Sequence, residues 1–417
     1  MKERLLQNNG IIYSAIFHRT VSDCSLITNL FLNILNDKED SWGNYKKTSF
    51  EIWSKALNLA ISCYIVPFLF YKLKEKECLH LLPKEIKEAF YKEYIFNTAR
   101  NLQIFNELSN ILQLLKQNNI DCIVLKGGYL ASKIYPQIGL RVLFDIDLLF
   151  QEKDLASAQK ILIKHGYMNS SLISLDLHWY LEQFLDLDMQ YVWQNTLRTE
   201  IEDAPALVLC PEINIIHLCI HMGMHHLFQD GALRALCDIK ELIIKQKKID
   251  WLFLNKLCER WGVKECVLLS LKIVDEFLGL PENISIKKSF NEVDVELLEW
   301  AKKQIICHPY SETGSKDLSP YFWKLWSEES LIEKIKAFKR LIFPPKEMVS
   351  QKYPSVSGSI NNRIKYIKRF REFIFPYLRI TMHLITRQKD AVQKLNSRKE
   401  KELIRKRLAP KGKWIYR

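Results

Sequence analysis

A chain of 417 residues with 48% hydrophobic and 12% aromatic side chains is long enough for two or three domains and apolar enough for a real core. Its ten cysteines form no Cys-x-x-Cys pair, which excludes a zinc knuckle or a redox motif, and several sit in apolar helical runs that suit reduced thiols in a cytosol. No apolar signal core follows Met1-Lys2-Glu3-Arg4, and the most apolar stretch, 56–71, is short and contains Asn58, Ser62 and Pro67, so the expectation is a cytoplasmic protein with no transmembrane segment.

Read in chain order, the spacing of apolar residues predicts helices over 25–35, 49–73 and 86–117. In the last of these, Ile104, Leu108, Ile111, Leu112 and Leu115 share one face. Residues 121–125 read as a buried strand, Gly127-Gly128 as a sharp turn, and 129–135 as a helix that Pro136 ends. The apolar run through 145–150 is a second strand. Asp154 is expected to cap a helix reaching His165, with Gly166 closing it. Two further strands are expected over 172–180 and 184–193. Pro205 and Pro211 then open a helical region that includes a helix over 212–228. Pro344-Pro345 and residues 355–358 mark loops before a basic tail.

The expected architecture is therefore α+β and mostly helical, with a small mixed sheet embedded between helical regions. The boundaries are 1–117 for an N-terminal helical region, 118–203 for the α/β core, 204–345 for a C-terminal helical domain and 346–417 for the tail. Charge separates the tail from the rest. Residues 331–417 hold 24 Lys plus Arg against 6 Asp plus Glu, while the preceding residues hold 37 against 42. Between 364 and 380 an amphipathic basic pattern runs through Ile364, Ile367, Phe370, Ile374, Tyr377 and Ile380, interrupted by Pro376. Such a tail either covers the protein's own surface or meets an anionic partner, a nucleic acid or a membrane surface.

The chemistry concentrates between residues 125 and 178. Asp145 and Asp147 lie two apart in a strand, so both carboxylates face one side. Adjacent carboxylates repel, and a divalent cation is the usual remedy. Upstream, a strand, the Gly127-Gly128 turn and a helix start form a pocket suited to an anion, with Lys126 adding a positive charge. Arg141, four residues before Asp145, is expected to bind a phosphate or to neutralise the carboxylates. His217, His221 and His225 recur every fourth residue on one helix, beside His226, without the glutamate of a His-Glu-x-x-His zinc motif. Arg234 and Asp238 are expected to pair with each other or with this histidine face.

These motifs resemble the nucleotidyltransferase superfamily of the DNA polymerase β type. More narrowly they resemble a bacterial family described as uncharacterised nucleotidyltransferases, whose members often sit in biosynthetic gene clusters. The resemblance rests on Leu125-Lys126-Gly127-Gly128, on Tyr135, Gly139 and Arg141, and on Phe144-Asp145-Ile146-Asp147-Leu148-Leu149-Phe150. It continues through Asp154, Leu162, His165-Gly166-Tyr167, Leu175-Asp176-Leu177-His178-Trp179 and residues 217–238.

What the resemblance implies is Mg²⁺- or Mn²⁺-dependent transfer of a nucleotidyl group, AMP from ATP being the expected case, to a hydroxyl-type acceptor. That chemistry needs a third carboxylate on a neighbouring strand. Asp176 is the expected residue, where the family pattern is Glu-x-His-Trp; Asp186 and Asp188 are the alternatives. Asp145, Asp147 and Asp176 would hold metal, and Lys126, Gly127, Gly128 and Arg141 would hold the nucleotide. His178, His221 and His225 would contact the cleft or the substrate. The acceptor is open among a peptide, a sugar and a small metabolite in a biosynthetic pathway. Two other readings stay open: a catalytically inactive relative that binds a nucleotide or a partner, and a nucleic-acid-binding protein acting through the tail.

Overall fold

The computed structural model describes residues 21–36, 48–170, 172–182, 185–246, 248–307 and 389–414. The chain divides into two units, Met1–Glu312 with Leu408–Lys413, and Thr313–Arg407 with Trp414–Arg417. Every element below belongs to the first unit except the last helix.

The N-terminal region is helical. Helix α1 spans Val21–Leu35, α2 Phe50–Ser62, α3 Val66–Glu75 and α4 Lys84–Gln117. Ser49 caps α2 by accepting a hydrogen bond from the Ile52 N–H at 3.3 Å. The single helix expected over 49–73 is broken in two. Tyr64 takes φ +61°, and Pro67 falls in the first turn of α3, where a missing N–H leaves nothing unpaired. In α4 the five apolar residues read as one face are all buried in a core with Val124, Ile146, Leu148 and Phe150 of the sheet.

The sheet has five strands: β1 Cys122–Val124, β2 Asp145–Phe150, β3 Ser174–His178, β4 Thr196–Ile201 and β5 Ala204–Leu209. Their order is β3-β2-β1-β5-β4. β2 runs antiparallel to β1 and parallel to β3, while β5 runs parallel to β1 and antiparallel to β4, so the sheet is mixed. Between β1 and β2 a helical turn, α5 at Lys126–Tyr129, continues as a π turn over Leu130–Ile134. Tyr135 leaves the helix in an extended conformation because Pro136 follows it. Helix α6, Glu152–Lys164, packs Leu155, Ala158 and Leu162 under the sheet. Gln151, not Asp154, occupies its cap position, and Asp154 sits in the first turn, where the helix dipole favours a carboxylate.

Two expectations need correction. The strand expected over 184–193 is replaced by helix α7, Met189–Gln194. Asp188 caps it, accepting from the Tyr191 N–H at 3.0 Å, so a local cap overrides the apolar pattern. Pro205 does not open a helical region either; it lies in β5 opposite Glu200, and the sheet continues to Leu209, past the expected boundary at 203. Glu202 and Asp203, at φ +45° and +63°, form the two-residue turn that joins β4 to β5. β1 pairs with β5 only at Ile123 and Leu207, so the absent N–H of Pro205 costs no ladder bond there.

Helix α8, Pro211–Ile220, has every residue from Glu212 to Ile220 buried, and it continues as a second π turn over His221–His225. Helices α9 Ala232–Lys245, α10 Trp251–Trp261, α11 Lys264–Leu278 and α12 Val295–Cys307 complete this region. Residues 408–413 return to it, and the Lys413 carbonyl accepts from the Asp186 N–H at 2.8 Å. Helix α13, Lys389–Leu408, lies mainly in the second unit and carries eight Lys or Arg against three Asp or Glu. The amphipathic pattern at 364–380 and the loops at 344–345 and 355–358 fall outside the described residues. Among those described, no helix is long and apolar enough to cross a membrane.

Candidate active site

The site begins where β1 ends. The N–H of Leu125 donates to the Asp147 carbonyl at 3.1 Å, which ties the turn to β2 beside its buried carboxylate. Lys126 then takes φ +42°, a left-handed conformation that lysine adopts only at a cost. A side chain on Gly127 would collide with the Arg141 guanidinium and with Leu143. On Gly128 it would press into Val124 at 2.7 Å. Both glycines therefore let backbone approach closely. Only Gly127 lines the cleft; Gly128 faces the strands.

Parallel pairing of β2 with β3 sets Asp147 directly beside Asp176, with Asp145 two residues earlier opposite Ser174. Asp147 is 2% exposed, whereas Asp145 and Asp176 sit at the open side. Lys126 Nζ donates to Asp147 Oδ1 at 2.9 Å, and His178 Nε2 lies 3.0 Å from the same oxygen. Burial alone would raise the Asp147 carboxyl, but the hydrogen bond from His178 and the charge of Lys126 hold it well below the usual carboxylate range. Asp145 moves the other way: burial, then repulsion from Asp147, pushes its carboxyl up. Asp186 and Asp188, the alternatives for the third carboxylate, are engaged elsewhere. Asp186 pairs with Lys413 at 3.0 Å and Asp188 with Arg260 at 2.6 Å.

Opposite the sheet stands a helical wall that closes a cleft of about 400 Å³. His221 and His225 line it, together with His217 and His226, and the rings of His221 and His225 stack at 5.2 Å. Behind them lies Glu182, which the sequence reading passed over. It is 2% exposed and accepts hydrogen bonds from His217 Nδ1 at 3.2 Å and His225 Nε2 at 2.6 Å. Burial would raise its carboxyl, yet the charge of His225 and the two hydrogen bonds bring it down to about 2. Burial lowers His221 well below its ordinary value and His226 to about 3, so both rings are neutral near pH 7. With Nδ1 of His217 turned to Glu182, its Nε2 makes no hydrogen bond among the described residues.

Arg141 differs from expectation. It forms a buried bidentate pair with Asp238, Nε to Oδ1 at 2.8 Å and Nη2 to Oδ2 at 2.9 Å, and Tyr135 Oη donates to the same carboxylate at 2.8 Å. The expected pairing of Arg234 with Asp238 is replaced by this one, in which Arg141 and Tyr135 take up both oxygens of the carboxylate. Arg141 is held in place by α4: Asn101 Nδ2 donates to the carbonyls of Ile138 and Arg141 at 2.7 and 2.9 Å. Asn97 donates to the Gly139 carbonyl at 2.7 Å, and Arg100 to that of Leu143 at 2.6 Å. Three polar side chains on one face of a helix were the available sequence signal for this anchoring.

The donor set fits a hard divalent cation. Ligand atoms of Asp147, Asp176 and His178 all lie within 4.8 Å of one another, with Asp145 alongside. Carboxylate oxygens suit Mg²⁺ and Mn²⁺, and the imidazole nitrogen of His178 suits Mn²⁺ better. No curated protein and no solved structure matches the chain. The family model described as "Uncharacterised nucleotidyltransferase" matches residues 51–279, more than half of the chain, from α2 through α11. That span contains the glycine turn, the three carboxylates and the helical wall, and the chain belongs to this uncharacterised nucleotidyltransferase family.

Proposed function

We propose that the protein transfers a nucleotidyl group, AMP from ATP, to a hydroxyl-type acceptor in a biosynthetic pathway, acting in the cytoplasm. The observation that carries this reading is the side-by-side register of Asp147 and Asp176, with Asp145 two residues away and Lys126 on the glycine turn. Asp145, Asp147 and Asp176 would hold Mg²⁺ or Mn²⁺, which when bound supplies charge to oppose the triphosphate. Lys126 Nζ, 2.9 Å from Asp147 Oδ1, would orient the phosphates by exchanging that carboxylate for them. The acceptor oxygen forms a bond to the α-phosphorus, the bond from that phosphorus to the bridging oxygen breaks, and pyrophosphate leaves. The acceptor proton passes to the open Asp176 carboxylate. The neutral ring of His221 and the ring of His225 line the same cleft and are placed to contact the substrate.

A binding-only relative has no use for a third carboxylate, and the position of Asp176 beside Asp147 favours turnover over that alternative. The basic tail is assigned to an anionic partner on the strength of its charge alone, which α13 shares.

The test is incubation with α-labelled and γ-labelled ATP, Mg²⁺ or Mn²⁺, and extract fractions of peptides, sugars and small metabolites. Label from the α-phosphate should appear on an acceptor, with pyrophosphate released. Transfer from the γ-position with ADP as product would make the protein a kinase, and absence of both transfer and metal-ATP binding would sink the reading.

A further inference from the structure

Arg234 is the cation in the cleft that the described carboxylates leave unmatched. It projects from the first turn of α9 and lines the cleft. Its guanidinium lies against two aromatic rings, 5.4 Å from the centre of Phe144 and 5.8 Å from that of Tyr64. Nη1 is shielded from solvent and has no hydrogen-bond partner among the described residues. Among the described residues Arg234 forms no ion pair, because the nearby Asp238 is occupied by both arms of Arg141 and by Tyr135. Burial, then the charge of Arg141, weighs against the proton on Arg234, and the charges of Asp238 and Asp145 offset this only in part. Removing a guanidinium from water without an anion is costly, so the protein alone does not complete this environment. The aromatic rings hold the fork flat and preorganised, which suits bidentate contact with phosphate oxygens.

Its position says which anion. Arg141 lies against Gly127, and Arg234 senses the charges of both Arg141 and Asp145. Arg234 therefore stands beside Phe144, near Arg141 and Asp145, in the part of the cleft next to the glycine turn. His217, His221, His225 and His226 line the same cleft, and the charge of Arg234 reaches His226.

We propose that Arg234 is the subsite for the β- and γ-phosphates of the nucleoside triphosphate, and that Arg141 serves as its fixed neighbour and not as a ligand. The assignment rests on the nucleotidyltransferase reading above and specifies how that site holds its leaving group. It also gives the cleft a preference for triphosphates over monophosphates, since the anion that neutralises Arg234 departs as pyrophosphate.

The experiment is calorimetric titration of the full chain with Mg-ATP, AMP and inorganic tripolyphosphate, comparing wild type with Arg234→Gln and Arg234→Lys. Arg234→Gln should lose 10- to 100-fold in affinity for ATP and tripolyphosphate while AMP affinity stays within twofold. Arg234→Lys, which keeps charge but not the fork, should lose about 10-fold. Tripolyphosphate should also raise the melting temperature of wild type, and raise it far less in Arg234→Gln, a readout that needs no turnover. Should Arg234→Gln fail to fold, Arg234→Lys and the tripolyphosphate-induced shift decide the matter. Equal affinity of wild type and both variants for ATP and tripolyphosphate would overturn the Arg234 assignment and leave the proposed reaction standing. If wild type itself binds neither ATP nor tripolyphosphate, both fail together.

Discussion

The two walls of the cleft are built on opposite electrostatic terms. The sheet wall keeps negative charge close together: Asp145, Asp147 and Asp176 face one opening, and the hydrogen bonds from Lys126 and His178 both go to a single oxygen of Asp147. The helical wall matches its charges internally, Glu182 against two histidines and Asp238 against Arg141 and Tyr135, with Arg234 as the exception. A wall that holds unrelieved charge is prepared for a ligand, whereas matched buried pairs hold the scaffold. Variants of the two walls should therefore fail in different ways.

The largest effect is expected on the sheet wall. Asp145→Asn with Asp147→Asn should lower nucleotidyl transfer by about 10³-fold, the range seen when a fixed electrostatic group is removed. The folded state should keep its melting temperature within a few degrees, because like charges are removed along with the pair to Lys126. A collapse of the fold would show that these carboxylates are structural. On the helical wall the order reverses. Asp238→Ala leaves Arg141 buried without its partner and should cost about 3–5 kcal/mol in urea denaturation. Glu182→Ala should cost a similar amount, because it takes the carboxylate from the buried His217 and a hydrogen bond from the half-buried His225. An unchanged midpoint in either variant would break the distinction between the walls.

Acid should sharpen it further. His226 is depressed to about 3 in the folded chain, against an ordinary value near 6.5, so the unfolded chain takes up the proton first. Stability is then lost as pH falls from about 6.5, by up to about 1.4 kcal/mol per pH unit for one such ring. Glu182, at about 2, adds a second loss that begins below about 4.5. His226→Gln should make the first phase shallower, with the likewise depressed His221 and His217 sustaining the remainder, read as the slope of melting temperature between pH 7 and 5. The smallest effect belongs to the hairpin away from both walls. Asp203→Gly relieves a left-handed conformation and should stabilise by about 0.5–1 kcal/mol with transfer unchanged.

Legibility followed sequence distance. The pairing of Asp145 with Asp147 was readable because strand geometry alternates sides every residue, and the face of α4 because helix geometry repeats every 3.6. The β4–β5 hairpin was not, since Glu202-Asp203 lacks the glycine or asparagine that marks such turns and Pro205 argued against a strand. The helix at Met189–Gln194 was hidden by an apolar pattern, although Asp188 three residues before Tyr191 was the cap signal. Glu182 gave no periodic signal at all, because its partners lie 35 and 43 residues away.

By itself the sequence determined the local half of the site: a glycine turn after a strand, a lysine on it and two carboxylates on one face of the next strand, all set by backbone geometry over a few residues. The tertiary structure decided the rest. It put Asp176 beside Asp147 through a parallel register and gave Arg141 to Asp238 across 97 residues. It also left Arg234 half-buried and, among the described residues, without an ion pair, because which charges meet inside a desolvated cleft depends on how distant elements pack and not on spacing along the chain.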